Sequence, residues 1–237
     1  MSQLNVEIWS DIACPWCFVG KRRLESALAR FAHRDQVQIT WRAFQLDPSA
    51  PPVREPESSY AERLARKYGT TPAQAQQMID RMVGVARAEG LAFDFTRIRP
   101  GNTFDAHRLL HLAKAHGLQD ALKERMFRGY LEEGKAIGTH EALRSLCADV
   151  ALDADAVEGV LATDLYAAEV RADLDEARAL GVDGVPFFLL GRRYAVSGAQ
   201  PAELLLSALQ RAWDERPPER LASDEAEGSV CGPDGCA

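Results

Sequence analysis

A chain of 237 residues is long for one bare core and short for two ordinary domains, which favours one domain carrying a sizeable insertion. Hydrophobic residues at 46% and charged residues at 27% match water-soluble globular proteins and exclude fibrous, collagen-like and wholly disordered chains. A formal net charge of -7 and a pI of about 5.3 leave no electrostatic footprint for nucleic acid.

The start, Met1 to Trp9, has neither a basic head nor a sustained apolar run of the signal-peptide type, so the expected setting is the cytoplasm. Asn5 to Asp11 reads as a short strand, and the next 20 residues take helical spacing through Leu24, Ala27, Leu28 and Phe31. Val37 to Phe44 alternates like a second strand, and a right-handed crossover makes the two strands parallel. From Glu57 to about Leu180 the pattern is helical, with five or six helices expected. Thr71-Pro72 and Asn102 open two of them, and Gly90 and Gly117 close them. Val185 to Leu190 and Tyr194 to Val196 then read as a hairpin around Gly191-Arg192-Arg193, and Pro201 to Trp213 as a closing helix. Val182 to Leu190, broken by Asp183, Gly184 and Pro186, is too short to span a bilayer, so no membrane segment is expected. The expected fold class is α/β. Residues 1–50 and 181–215 form the sheet domain, 51–180 an all-helical insertion, and 216–237 a polar, Pro/Gly-punctuated, mobile tail.

Five cysteines in a reducing compartment point to catalysis, redox sensing or metal rather than a disulfide framework. Cys14-Pro15-Trp16-Cys17 falls where the first strand hands over to a helix. Unpaired N–H groups and the helix dipole there favour a thiolate at Cys14, which is the species that attacks disulfides. Cys17 lies one turn on and can resolve the mixed disulfide. Cys231 and Cys236 enclose the turn formers Gly232-Pro233-Asp234-Gly235. The chain from Pro217 to Cys231 spans on the order of 20 Å, enough to bring this second pair to Cys14 as a relay or regulatory cap. The competing arrangement uses all four cysteines as one tetrahedral zinc site, and a third leaves the tail pair inert. Cys147 shares an apolar helical face with Leu143, Leu146 and Val150 and reads as a buried small hydrophobe. His107, His111 and His116 share a helix without the H-E-x-x-H glutamate, so no metal site is expected from them.

Cys14-Pro15-Trp16-Cys17 after the first strand, Gly184-Val185-Pro186 before the third, the helices between them, and the terminal Cys231 to Cys236 together resemble the DsbA-like thioredoxin-fold disulfide oxidoreductases, most closely the FrnE type. The resemblance covers nearly the whole chain. It implies a thioredoxin fold (mixed β-sheet with flanking helices) and a cis Val185–Pro186 bond facing Cys14. It also implies Val185 backbone pairing with an extended substrate. Trp16, beside Pro15, reads either as an apolar substrate contact, with Pro15 as a second substrate-binding residue, or as surface packing. The resemblance further implies protein thiols and disulfides as substrates, and glutathione or a thioredoxin-type donor as electron source with no bound cofactor. Asn102 to Arg108 resembles a segment near the active face in the same proteins, although Asn102 also reads as a plain N-cap. DsbA carries histidine between its cysteines where this chain has Pro15-Trp16. A milder oxidant is therefore expected, a pair that is mostly dithiol at a cytosolic poise and acts as reductase or isomerase. The alternative function is a glutathione-dependent isomerase or transferase of the 2-hydroxychromene-2-carboxylate isomerase or kappa class, in which a serine typically replaces the first cysteine. A binding module using an apolar groove is a third possibility. Oligomeric state, substrate and reduction potential are open at this level.

Overall fold

The computed structural model describes residues 3–53 and 58–216. Strand β1 (Leu4–Ser10) occupies the middle of a four-stranded sheet of order β2-β1-β3-β4. It runs parallel to β2 (Val37–Ala43), with Leu4 opposite Val37 and Ser10 opposite Ala43. Its other edge pairs antiparallel with β3 (Phe187–Leu190), Trp9 opposite Phe187, and β3 turns back into β4 (Tyr194–Ser197). Gly191 and Arg192 both take positive φ and Arg193 N–H bonds Leu190 O, the primed turn whose twist suits a tight hairpin. The outer edge of β2 is closed by Gln119, whose side-chain amide both accepts from Trp41 N and donates to Trp41 O, satisfying backbone groups that an open edge would leave unpaired.

Alternation along β1 sorts the layers. Leu4, Val6 and Ile8 face helices α1 (Pro15–Ala29) and α9 (Ala202–Asp214), through Leu24, Ala27, Leu205 and Leu209. Trp9 faces the other way, against Ala177 of helix α8 (Ala167–Ala179), Val182 and Leu189. Between β2 and β3 lie α2 (Tyr60–Tyr68), α3 (Pro72–Ala88), α4 (Phe104–Ala115), α5 (Gln119–Leu131), α6 (His140–Ala148), α7 (Ala154–Ala162) and α8. Their apolar faces form a second core that also takes Ile12, Phe18 and Val19 from the start of α1. Phe18 stacks on Phe127 at 4.9 Å and on Phe93 at 6.0 Å.

The expected elements appear, with two corrections. Among the described residues, seven helices rather than five or six separate β2 from β3. Two breaks are made without glycine or proline, by Ala151 (φ 56) after α6 and Tyr166 (φ 64) at the entry to α8, so turn chemistry did not announce them. Asn102 does not cap α4. The cap residue is Thr103, while Asn102 Oδ1 accepts from Phe104 N and its amide donates to Pro48 O and Ala50 O, pinning the loop after β2. Thr71 behaves as expected, forming a capping box with Gln74 and Pro72 at the first helical position. Among the described residues no helix is long and apolar enough to cross a membrane.

Gly20 marks the closest approach of α1 to the strand side. A Cβ there would stand 2.8 Å from Pro186 Cγ and 3.3 Å from Phe188 Cζ. Neither a proline ring nor a buried phenyl yields easily, so Gly20→Ala is expected to cost about 1–3 kcal/mol despite alanine's better helix propensity. The check is the urea unfolding midpoint. Unchanged or raised stability would show that the contact is slack.

Candidate active site

The segment after β1 turns sharply because Cys14 N–H bonds Asp11 O at 3.1 Å, and α1 starts at once, with Cys17 N–H bonding Cys14 O at 3.1 Å. Cys14 is the N-cap (φ -95, ψ 111) and Pro15 the first helical residue, where its missing N–H costs nothing. This places Cys14 and Cys17 one turn apart on the side of α1 that enters the helical core, and both are free thiols. Cys14 is 5% exposed and Cys17 0%, so Cys14 alone of the pair reaches the surface. The Val185–Pro186 bond is cis, and the Cys14 thiol donates to Val185 O at 3.5 Å, which joins the two sequence motifs in one place. Pro186 is buried against Gly20, Val185 is half-buried, and Trp16 is 41% exposed beside the pair. Cys231 and Cys236 lie outside the described residues.

The electrostatics differ from the expectation of an anion on Cys14 alone. The two sulfurs, one helical turn apart, interact directly, so each sets the proton affinity of the other. The interaction with Cys17, then burial and the nearby charge of Asp11, push the Cys14 thiol well above the ordinary thiol value. Burial opposes ionisation of Cys17 as well. The hydrogen bond from Cys14, the Ser10 hydroxyl, the Lys123 charge and the Asp11 backbone outweigh it and pull Cys17 below that value. The pair therefore loses its first proton easily and its second with difficulty. The helix N-terminus governs the sequence expectation, but the nearby full charges come from residues with no place in the C-x-x-C motif.

Those residues form a buried polar floor. Asp11 is 1% exposed, accepting from Ala13 N at 3.3 Å and Leu46 N at 2.8 Å. Burial would raise its pKa, yet His107, the Leu46 amide and Lys123 hold it below the usual carboxylate range. His107, from α4, is buried with Nε2 on Phe44 O at 3.0 Å and 3.6 Å from Asp11 Oδ1, and burial pushes it below the ordinary imidazole value. Lys123, from α5, is completely buried beside Ser10, and its charge acts on both sulfurs. Tyr60, the first residue of α2, closes the side near Cys14, and burial together with the Cys14 charge pushes its hydroxyl up to about 12. Asp11, Ser10, Lys123 and Tyr60 were missed at the sequence level. Lys123 did carry a signal, since it sits within the buried stripe Gln119, Leu122, Met126 and Tyr130.

The other candidates are structural. Cys147 is buried in the helical core, its thiol pushed up to about 12 by burial. His111 bonds Asp173 Oδ2 at 2.9 Å, where that carboxylate also takes Arg42 and Ala43 N and so fastens α8 to β2. Among the described residues no group of three or more His, Cys, Asp or Glu is placed to hold a metal ion.

The model of the DSBA-like thioredoxin domain matches residues 5–210. The chain belongs to the DSBA-like thioredoxin-domain family. It is similar to a probable DsbA oxidoreductase from Streptomyces coelicolor, at 48% identity and a TM-score of 0.86, with 99% of each chain covered. YwbO of Bacillus subtilis is 26% identical over 190 residues, 79% of this chain and 87% of that protein. The cytosolic disulfide reductase DsbM of Pseudomonas aeruginosa, solved with glutathione, shares the fold at 18% identity and a TM-score of 0.60, covering 89% of this chain and 99% of its own.

A pH prediction follows from the floor of this DSBA-like site. The folded chain holds His107 and Asp11 below their ordinary pKa values, so the unfolded chain binds their protons first as pH falls. Their contribution to stability is complete above the unfolded values, about 6.5 and about 3.9, and is lost on acidification, beginning with His107. The urea midpoint should fall between about pH 7 and about pH 5. The fall should be shallower in His107→Gln; an equal slope in both proteins would mean that His107 does not contribute.

Proposed function

We propose that the chain is a thiol-disulfide oxidoreductase that reduces or isomerises protein disulfides, in the manner of the FrnE type, with Cys14 as nucleophile and Cys17 as resolving thiol. The observation that carries this is the meeting of Cys14 Sγ with Val185 O, on the residue before the cis proline, while Cys17 is wholly enclosed behind it. Proton transfer along the Cys14–Cys17 hydrogen bond leaves the anion on Cys14. The Cys14 thiolate attacks a substrate disulfide, forming one S–S bond and breaking the other, and the leaving sulfur takes a proton from water. Cys17 then gives up the proton it took from Cys14 to solvent base, and its thiolate attacks Cys14 Sγ, forming the Cys14–Cys17 bond and releasing the second substrate sulfur, which takes a proton from water. The products are a reduced substrate and a Cys14–Cys17 disulfide, which an external thiol such as glutathione returns to the dithiol.

Val185 precedes the β1–β3 ladder, whose first paired residue is Phe187, so its backbone is placed to take an extended substrate strand. Exposed Trp16 and Leu46 supply apolar contact on the rim, and Pro15 shapes the entry. Cys231 and Cys236 serve as an internal relay to this pair. A cytoplasmic setting accords with a pair poised toward dithiol.

Cys14→Ser is expected to abolish glutathione-driven reduction of a protein disulfide, and Cys17→Ser to accumulate a stable Cys14–substrate adduct visible by intact mass. Full turnover in Cys17→Ser, with activity on a glutathione-dependent isomerisation, would favour the isomerase alternative instead. Replacing both Cys231 and Cys236 with serine should slow turnover; an unchanged rate removes the relay.

A further inference from the structure

Lys123 is the one completely buried charged side chain of the described residues. Its position is costly: an ammonium taken out of water normally has a carboxylate beside it. Lys21, the other buried lysine, has three, from Glu25, Asp120 and Glu124. Lys123 makes no ion pair within reach among the described residues. Its Nζ donates to Ser10 O at 3.3 Å, and its charge lies over the rings of Trp41 at 5.5 Å and Phe127 at 5.0 Å. Ser10 ends β1 immediately before the turn to Cys14, and its own hydroxyl is buried with no partner besides the Cys17 sulfur. A cation with no carboxylate at ion-pair distance and a hydroxyl with only that sulfur for a partner thus stand together beside the wholly enclosed Cys17.

We propose that Lys123 is the counter-charge and proton store of Cys17, a positioning residue through which the helical insertion sets the resolving step. This rests on the function proposed above and assigns the part of the fold that controls it. In the mixed disulfide, Lys123 and Cys17 share one proton; with the proton on nitrogen, Cys17 is a thiolate with the Ser10 hydroxyl free to donate to it. Cys17 attacks Cys14 Sγ, the Cys14–Cys17 bond forms, the Cys14–substrate bond breaks, and the substrate sulfur leaves with the electron pair and takes a proton from water. Lys123 now faces an uncharged disulfide and gives up its proton; reduction reverses the sequence.

The titratable groups around Lys123 agree with this role. Burial holds it down to about 8, while the charges of Cys17, Asp11, Cys14 and, from its own helix, Asp120 act in the opposite direction. His107 of α4 also interacts with it electrostatically. Of these partners only the two sulfurs change with redox state, so oxidation removes their share of what keeps the ammonium charged and leaves that of Asp11 and Asp120.

The test uses the full chain with Cys231 and Cys236 replaced by serine and a chromogenic aromatic disulfide as substrate. Its first thiol release reports attack by Cys14 and its second, from the adduct, resolution by Cys17. Lys123→Met, close in volume, should leave the fold as stable or more so and slow the second release at least about tenfold near neutral pH, recovering at alkaline pH as the Cys17 thiol ionises unaided. Lys123→Arg, which keeps the charge, should restore much of the rate at neutral pH. A second release in Lys123→Met with the wild-type rate and pH profile overturns the role. Should that variant not fold, the wild-type protein decides by carbon NMR of its five lysines. Lys123 should titrate at lower pH in the oxidised than in the reduced protein, and identical titration overturns the role. A wild-type chain forming no adduct at Cys14 overturns the proposed function and this role with it, whereas adduct formation with an indifferent Lys123→Met overturns this role alone.

Discussion

Helix α1 packs its first turns into the helical core through Phe18 and Val19 and its later turns onto the sheet through Leu24 and Ala27. Every feature of the site depends on this shared helix. Its start must coincide with the end of β1, which fixes Cys14 as N-cap, and its middle must lie against Pro186, which only Gly20 permits. With both contacts made, the Cys14 sulfur has one direction open, toward Val185 O and the surface, and the Cys17 sulfur has none.

The arrangement divides labour between the layers. The sheet domain supplies the two sulfurs and the strand entry that faces them. The helices between β2 and β3 supply Lys123 and Tyr60, which interact with those sulfurs, and His107, which faces Asp11. Asp11 and Lys123 carry opposite charges in a medium of low dielectric and act mainly on different members of the pair, raising Cys14 and lowering Cys17. The pair is thus poised by its floor as well as by its place at the helix start. The two residues between the cysteines, Pro15 and Trp16, carry no charge and leave the floor to set the balance.

How much was legible in the sequence follows from the range of the forces involved. Local signals carried the strand-turn-helix around Cys14, the hairpin at Gly191, the capping box at Thr71 and the meeting of two motifs through a family resemblance. What was not legible depended on contacts distant in sequence. Asp11 and His107 approach across 96 residues, and Lys123 reaches Ser10 across 113. Asn102 looked like a cap because caps are local; its oxygen does accept from nearby Phe104 N, but its amide donates to carbonyls about fifty residues upstream. The breaks at Ala151 and Tyr166 were hidden because residues other than glycine take the left-handed backbone there.

The most direct measurement of the central claim is equilibration of the protein across glutathione buffers of defined poise, followed by acid quench and peptide mass mapping. The account predicts a single two-electron transition that links Cys14 to Cys17 while Cys147 stays a thiol throughout. A Cys14–glutathione adduct persisting beside a free Cys17 thiol at every poise, or the absence of any Cys14–Cys17 disulfide, would contradict it.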